Sequence, residues 1–193
     1  SPSKTASSTK RSAATLGSDG VLVYPDALGT GAHMFMRAGR TSIEDFVALP
    51  VGSNRSELVY DVKLGAQVAG LRLVANTLEL LDAGGVPRLR VDPPKITDAS
   101  CVDRWAQLSV EGCSFDSSPA PPWGRTVTSP GASSCQLRVS WTLAQLTLPA
   151  VVDPTWGYTM TIPGGSRGGH AAVVLADERV MVAGNSNGGA PPT

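Results

Sequence analysis

The sequence predicts an all-β fold, an antiparallel β-sandwich followed by a separate, incomplete β-hairpin. Short apolar runs alternate with polar residues at a period of two, which is typical of half-buried strands. The 193 residues include 21 Gly and 15 Pro, and only 17% are charged. No segment keeps an apolar spacing of about 3.6 residues over three turns. Many turns, few charges and no helical period together favour short strands joined by loops.

Three segments follow from composition. Residues 1–18 are Ser, Thr, Ala and Lys with almost no large apolar side chain. Such a segment buries too little apolar surface to offset its ordering entropy, so it is predicted to be a flexible linker. Residues 19–156 carry the strand patterns of the sandwich, and residues 157–193 contain the hairpin.

The sandwich begins with a short apolar run at 21–24, which Pro25 and Asp26 end as a turn. Residues 32–37 and 43–49 then flank a Gly-containing turn and predict a hairpin. The clearest alternation follows. Its apolar members are Leu58, Tyr60, Val62 and Leu64, and these predict one dry face and one wet face.

Further alternating runs at 69–73, 78–81 and 88–91 are separated by Asn- and Gly-containing turns and ended by a Pro pair. This spacing is typical of a meander or sandwich. The remaining predicted strands are 105–111, 136–141 and 146–152, the last ended by Asp153 and Pro154.

Two of the four tryptophans, Trp105 and Trp141, lie in strand patterns and are predicted to be core residues. The connection 114–134 is too rich in proline for an interior strand. It contains Trp123, which is the tryptophan we expect to bind a ligand, since an indole in a loop is available for stacking.

The three cysteines are Cys101, Cys113 and Cys135. Cys113 and Cys135 lie at the end of one predicted strand and the start of another, and a disulfide between them predicts an oxidising compartment. Three reduced core cysteines are the alternative. No Cys-x-x-Cys or His-rich spacing indicates a metal site, and no cofactor is predicted.

The charge balance and the hydropathy of the sequence limit the classes of partner that are expected. Sixteen basic residues balance sixteen acidic ones, so neither nucleic acid nor an anionic membrane is expected as a partner. No run reaches the roughly 18 apolar residues that span a bilayer. No leader pattern is present, so we expect any signal peptide to have been removed or to lie outside this sequence.

Two candidate catalytic features are interpreted as structural. Residues 164–168 match the G-x-S-x-G elbow of serine hydrolases, but a β-branched run follows where that motif needs a helix. They are therefore predicted to form a glycine-rich turn. His33 and His170 are the only histidines, and neither has a second ligand at metal-binding spacing.

The hairpin pattern comprises the apolar runs 171–175 and 180–183, separated by a polar break and preceded by Arg167 and His170. It resembles a kelch repeat of the bacterial secreted type. In that family an Arg, a His leading an apolar strand, a tight turn and a second strand ending in glycines form the inner strands of a propeller blade. Here Asn185 replaces the second glycine of the usual pair, and Glu178 stands where glycine is common.

The preceding region is similar to a β-rich domain of large secreted bacterial proteins, on the runs 43–49, 70–73, 78–85 and 149–155. Such domains stand before kelch propellers in myxobacterial-type surface proteins and before Rhs-type repeats in polymorphic toxins. The resemblance implies a non-enzymatic extracellular domain that presents or spaces a propeller. The expected partner is a protein or a glycan.

Two alternatives come from other classes. One is a carbohydrate-binding module that uses Trp123. The other is a fragment of an enzyme related to galactose oxidase, whose copper chemistry needs a Tyr, Cys and His set. The sequence offers Tyr24, Tyr60, Tyr158 and two distant histidines for that set, and they do not form a recognisable site.

Overall fold

The computed structural model describes residues 13–40, 42–122, 124–159, 171–174 and 180–183, and this part of the chain has the predicted all-β fold. No α-helix occurs among these residues, and one 3-10 turn spans Leu143–Gln145. The chain divides into two compact units, Ser1–Thr159 and Met160–Thr193.

The first unit is an antiparallel sandwich of two sheets. Its strands are β1 (Thr15–Leu16), β2 (Leu22–Tyr24), β3 (Met34–Ala38), β4 (Ser42–Leu49), β5 (Glu57–Lys63), β6 (Gly70–Val74), β7 (Thr77–Leu81), β8 (Pro87–Val91), β9 (Lys95–Asp98), β10 (Asp103–Trp105), β11 (Gln107–Glu111), β12 (Ser134–Ser140), β13 (Ala150–Asp153) and β14 (Thr155–Tyr158).

The larger sheet has eleven strands and follows the order β1-β2-β3-β4-β14-β8-β7-β6. The long strand β4 pairs with β14 over its first half and with β13 over its second half, and β13 continues to β9 and β10. Pro154 separates β13 from β14, and Pro93 and Pro94 separate β8 from β9. Proline has no N–H to donate to a ladder, so it interrupts a strand at these two places.

The smaller sheet has the order β11-β12-β5 and packs on the larger one. The predicted alternation in β5 is confirmed, because Leu58 is buried while Val59 and Asp61 are exposed. Alternate residues of both sheets fill the core between them. The core includes Val47, Leu49, Leu58, Leu71, Leu78, Val91, Ile96, Leu108, Leu137, Val139 and Val152.

The prediction of one continuous strand over 105–111 is wrong. The chain leaves the larger sheet after Trp105 and joins the smaller sheet at Gln107. Ala106, fully buried between them, donates its N–H to Pro94 O at 2.9 Å and accepts at its carbonyl from Asn76 Nδ2 at 2.7 Å. The Asn76 side chain also accepts from the N–H of Leu108 at 2.8 Å, so it fixes this crossing between the sheets.

Several strand boundaries also differ from the sequence prediction. Thr15–Leu16, within the predicted linker, pairs with β2. The last predicted strand, 146–152, begins only at Ala150, and β9 was not predicted. Strand β14 extends to Tyr158, two residues beyond the predicted end of the sandwich at 156, because Gly157 and Tyr158 complete the ladder to β8.

The second unit contains β15 (Ala171–Val174) and β16 (Val180–Ala183), which pair antiparallel. The register places Ala171 opposite Ala183 and Val174 opposite Val180. These are the two apolar runs that the sequence predicts as a hairpin. Their assignment to a kelch blade stays a prediction.

Candidate functional site

The predicted disulfide between Cys113 and Cys135 is present. Cys113 follows β11, and Cys135 lies buried in β12, the neighbouring strand of the smaller sheet. The bond closes the loop between them, over a sequence separation of 22 residues. Cys101 is an exposed free thiol. A bridged pair on adjacent strands fits an oxidising compartment.

Arg72 on β6 holds the proline-rich loop that the disulfide closes. Its side chain is only 11% exposed and pairs with Glu79 on β7, with Nη1 at 2.6 Å from Oε2. The same guanidinium donates to three loop carbonyls, those of Ser118, Pro119 and Ala120, each at 3.3 Å. Guanidinium donors thus bind consecutive carbonyl groups of a segment without regular secondary structure.

The loop also adds to the edge of β6. Asp116 donates its N–H to Leu71 O at 2.8 Å and accepts from the N–H of Leu73 at 2.9 Å. Arg125 binds the Asp116 carboxylate at 3.0 Å. The pKa of Asp116 lies below its ordinary value because the Ser118 N–H donates to the carboxylate, with Arg125 adding to the effect. The edge of β6 is therefore covered.

Trp123, the predicted ligand-binding residue, lies outside the described residues. On one side of it Pro122 is buried, and on the other Gly124 is exposed with φ of 75°. The predicted glycine-rich turn at 164–168 and His170 also lie outside the described residues.

A buried polar cluster joins the two sheets. Asp45 on β4 is 3% exposed and accepts a hydrogen bond from the Tyr60 hydroxyl of β5, with 2.5 Å between the oxygens. Trp156 of β14 packs edge-on against Tyr60 with ring centroids 5.8 Å apart. Burial raises the pKa of Asp45 to about 7, although the Tyr60 hydrogen bond opposes the shift. Burial and the nearby Asp45 also raise the pKa of Tyr60.

This cluster lies in the sandwich interior, where a hydrogen-bonded buried carboxyl group fixes the position of one sheet on the other. His33, the described histidine, accepts at Nδ1 from the N–H of Asp26 at 3.1 Å within a surface loop. In the part of the chain that the structure describes, no three His, Cys, Asp or Glu side chains are grouped to hold a metal ion. Nor does any helix there have the length and apolar character needed to cross a membrane.

The predicted burial of Trp105 is wrong, whereas Trp141 does pack against the core. Trp141 is half-buried, and its Nε1 donates to Arg55 O at 3.1 Å. Trp105 is 61% exposed. It is the last residue of β10, and the neighbouring Ala106, rather than Trp105, takes the buried position at the crossing between sheets.

The outward residues around Trp105 form two cross-strand rows, which we call the Trp105 face. One row comprises Ala48, Val151, Thr97 and Asp103, and the other comprises Asp153, Lys95 and Trp105. Directly opposed side chains in such ladders are about 5 Å apart at Cβ. The Trp105 face therefore places one exposed indole beside small and polar side chains.

Polar groups on the Trp105 face bind one another. Asp103 accepts from Thr97 Oγ1 at 2.8 Å and lies 3.3 Å from Lys95 Nζ. These contacts lower the pKa of Asp103, the Thr97 hydrogen bond most. Lys95 and Asp103 have side-chain exposures of 42% and 52%, so both groups remain available to solvent.

An open depression of about 430 Å³ adjoins these rows. Its lining includes Gly31, Ala48, Pro50, Thr97, Pro149 and Val151. The Trp105 face thus carries an exposed aromatic ring and hydrogen-bonding groups, and it adjoins the depression at Ala48, Thr97 and Val151.

No family model, curated protein or solved structure matches this chain.

Proposed function

We propose that the chain is a non-enzymatic extracellular accessory domain that presents or spaces a neighbouring kelch propeller. The observation that carries the proposal is the disulfide between Cys113 and Cys135 in an all-β sandwich, followed by a paired hairpin in a separate unit. A disulfide-stapled sandwich suits an oxidising compartment. A hairpin alone is only marginally stable, so β15 and β16 favour a blade completed by further strands.

Titration of free thiols in the unreduced, denatured protein tests the compartment. The protein is to be purified from its native source under non-reducing, oxygen-free conditions, so that disulfides neither form nor break before the titration. The proposal expects one titratable thiol, from Cys101. Three thiols would contradict an extracellular location, because Cys113 and Cys135 would then be reduced where the protein works.

The spacing role is tested in the natural full-length protein by deleting residues 19–159. If the domain spaces a propeller, the deletion leaves the remaining protein folded and exported but reduces its binding to the surface that the full-length protein binds. Unchanged surface binding would contradict the role. Copper-dependent oxidase activity of the isolated chain would instead favour the enzyme alternative.

A second candidate is a carbohydrate-binding module that uses Trp123. The favouring observation is that residues on both sides of Trp123 belong to the loop bound by Arg72 and closed by the disulfide. Side chains on such a loop bind with less ordering cost than those on a mobile one. A glycan array with the wild type and Trp123→Ala tests this role, and equal binding by both proteins would reject it.

A further inference from the structure

The strongest unexplained feature of the sandwich is the exposure of Trp105. A tryptophan removed from water contributes more apolar area than almost any other side chain. Here 61% of the residue remains in solvent, although the core of the same sandwich is filled by smaller side chains. A single exposed apolar side chain is ordinary on a protein surface, so a ligand is indicated only by the groups that surround this indole.

The surroundings of the indole indicate which ligand. Trp105 lies directly across from Lys95 and diagonally across from Thr97, and Asp103 lies two residues before it in the same strand. An apolar protein partner would remove water from the Lys95–Asp103 pair without replacing its hydrogen bonds, which is unfavourable. A ligand with one apolar face and many hydroxyl groups meets both requirements, because hydroxyls donate to Asp103 and accept from Lys95.

We propose that the Trp105 face binds a neutral carbohydrate, with a sugar ring stacked on the Trp105 indole and its hydroxyl groups bonded by Lys95, Thr97 and Asp103. This deepens the proposed function, on which it rests, because it names the ligand class of the accessory domain.

The depression, which shares Ala48, Thr97 and Val151 with the Trp105 face but is not lined by Trp105 itself, is where we place the next part of the glycan chain. Ala48 and Val151 contribute small outward side chains to its lining, and Pro50 and Pro149 also line it. Small residues at directly opposed positions leave room above the sheet, whereas longer side chains would fill it. The binding surface therefore extends from the Trp105 edge across β9 and β13 toward β4.

Charge on the face favours a neutral glycan over an acidic one. The two rows contain two carboxylates, Asp103 and Asp153, and one ammonium group, Lys95. Lys95 already lies 3.3 Å from Asp103. A uronate or sulfate group would meet two carboxyl groups and one ammonium group here, so acidic polysaccharides are expected to bind more weakly than neutral ones.

The test titrates the disulfide-bonded chain with neutral hexasaccharides of glucose, mannose, galactose and N-acetylglucosamine, followed by calorimetry and tryptophan fluorescence. A uronic acid hexamer and a proline-rich peptide are included for comparison. At least one neutral hexasaccharide is expected to bind and to shift the emission to shorter wavelength. Trp105→Ala is expected to weaken that binding by roughly tenfold or more, the size of one aromatic hot-spot contact.

Tyr158→Ala is the matched control, because Tyr158 is also an exposed aromatic residue, 69% accessible, but lies in β14 beyond Pro154. It should bind like the wild type. Thr97→Val, which removes one hydroxyl, should weaken binding less than Trp105→Ala does.

Four outcomes would overturn the inference: no binding of any neutral hexasaccharide at millimolar concentration, equal loss in Trp105→Ala and Tyr158→Ala, tighter binding of the uronic acid hexamer, or binding of the peptide in place of the sugars. Failure of the carbohydrate site can be distinguished experimentally from failure of the proposed function. One free thiol without sugar binding overturns only the carbohydrate site, whereas three thiols with Trp105-dependent binding overturn only the extracellular location.

Discussion

Two edges of the larger sheet are treated in opposite ways. At β6, the loop between Cys113 and Cys135 pairs its Asp116 with the strand edge and is bound by Arg72. At β10, the N–H groups of Asp103 and Trp105 point away from β9 and form no hydrogen bond with another described residue. This direction follows from antiparallel alternation, because Ala106 bonds to Pro94 and Asp98 bonds to Val102.

The two strand edges have different roles: the covered β6 edge stabilises the fold, whereas the open β10 edge is available for binding. Unpaired strand edges invite association, and proteins commonly cover them. The β6 edge is covered at the cost of a long loop, a disulfide and a nearly buried ion pair. The β10 edge pairs with no further strand among the described residues and carries the exposed Trp105, which is consistent with binding at this end of the sheet.

The largest effect is expected at the covered edge, from replacing both bridged cysteines. The Cys113→Ala and Cys135→Ala double variant should lose about 3–4 kcal/mol of unfolding free energy, because the unfolded chain regains the freedom of a 22-residue loop. Urea unfolding measures the loss. Cys101→Ser is the control and should leave stability unchanged. A double variant as stable as the wild type would show that the loop does not depend on the bridge.

The next effect is a pH dependence of the unfolding free energy, and it comes from Asp45 in the buried polar cluster that joins the two sheets. Burial raises the pKa of Asp45 to about 7 in the folded protein, against about 4 in the unfolded chain. The folded state therefore holds the proton more tightly, so this contribution to stability is full below pH 4 and is lost as pH rises to 7. The loss is up to about 4 kcal/mol, because each pKa unit corresponds to about 1.4 kcal/mol.

Asp45→Asn carries no titrating carboxyl group and should abolish that fall between pH 4 and pH 7. Unfolding free energies measured across this range provide the test. Asp61→Asn, which removes an exposed carboxylate from β5 of the smaller sheet, is the control, and the fall that depends on Asp45 should remain in it. An unchanged slope in Asp45→Asn would assign the pH dependence to other groups.

A smaller loss of stability is expected when a side-chain atom is added between β6 and the loop that packs on it. A Cβ at Gly70 would lie 2.3 Å from Val127 Cγ1 and 2.9 Å from Thr128 O. Gly70→Ala should therefore destabilise the protein by about 1–3 kcal/mol through overpacking. Gly65→Ala, where an added Cβ meets nothing within 4 Å, is the matched control. Equal stability of the two variants would mean that the loop does not pack on β6 as described.

The smallest effect on stability is expected at the open edge. Trp105→Ala should change the unfolding free energy by no more than about 0.5 kcal/mol, because the side chain is mostly in water. Trp141→Ala should cost about 3 kcal/mol, since that half-buried ring packs against the core. Thermal unfolding of both variants checks the contrast. A large loss in Trp105→Ala would make Trp105 a structural residue.

The sequence predicts local features of this fold well and long-range ones poorly. The alternation in β5, the hairpin of β6 and β7 and the cysteine pair follow from residue spacing and turn chemistry. The exposure of Trp105 does not, because it depends on Asn76 and Pro94 binding the backbone of Ala106. The pairing of Asp45 with Tyr60 is equally hidden, since it needs the packing of two sheets. The sequence signal for the exposure of Trp105 is the alternation of apolar and polar residues around it. The same alternation fits a strand whose tryptophan lies in the core, so it does not decide between the two.

Amide hydrogen exchange tests the contrast between the two edges most directly, measured by NMR on the disulfide-bonded chain at neutral pH. Slow exchange is expected for the N–H groups of Leu73 and Asp116, which bond across the β6 edge, and fast exchange for those of Asp103 and Trp105. Addition of a neutral hexasaccharide should slow only the second pair. Slow exchange at Asp103 and Trp105 without ligand, or fast exchange at Leu73 and Asp116, would contradict the contrast between a covered β6 edge and an open β10 edge.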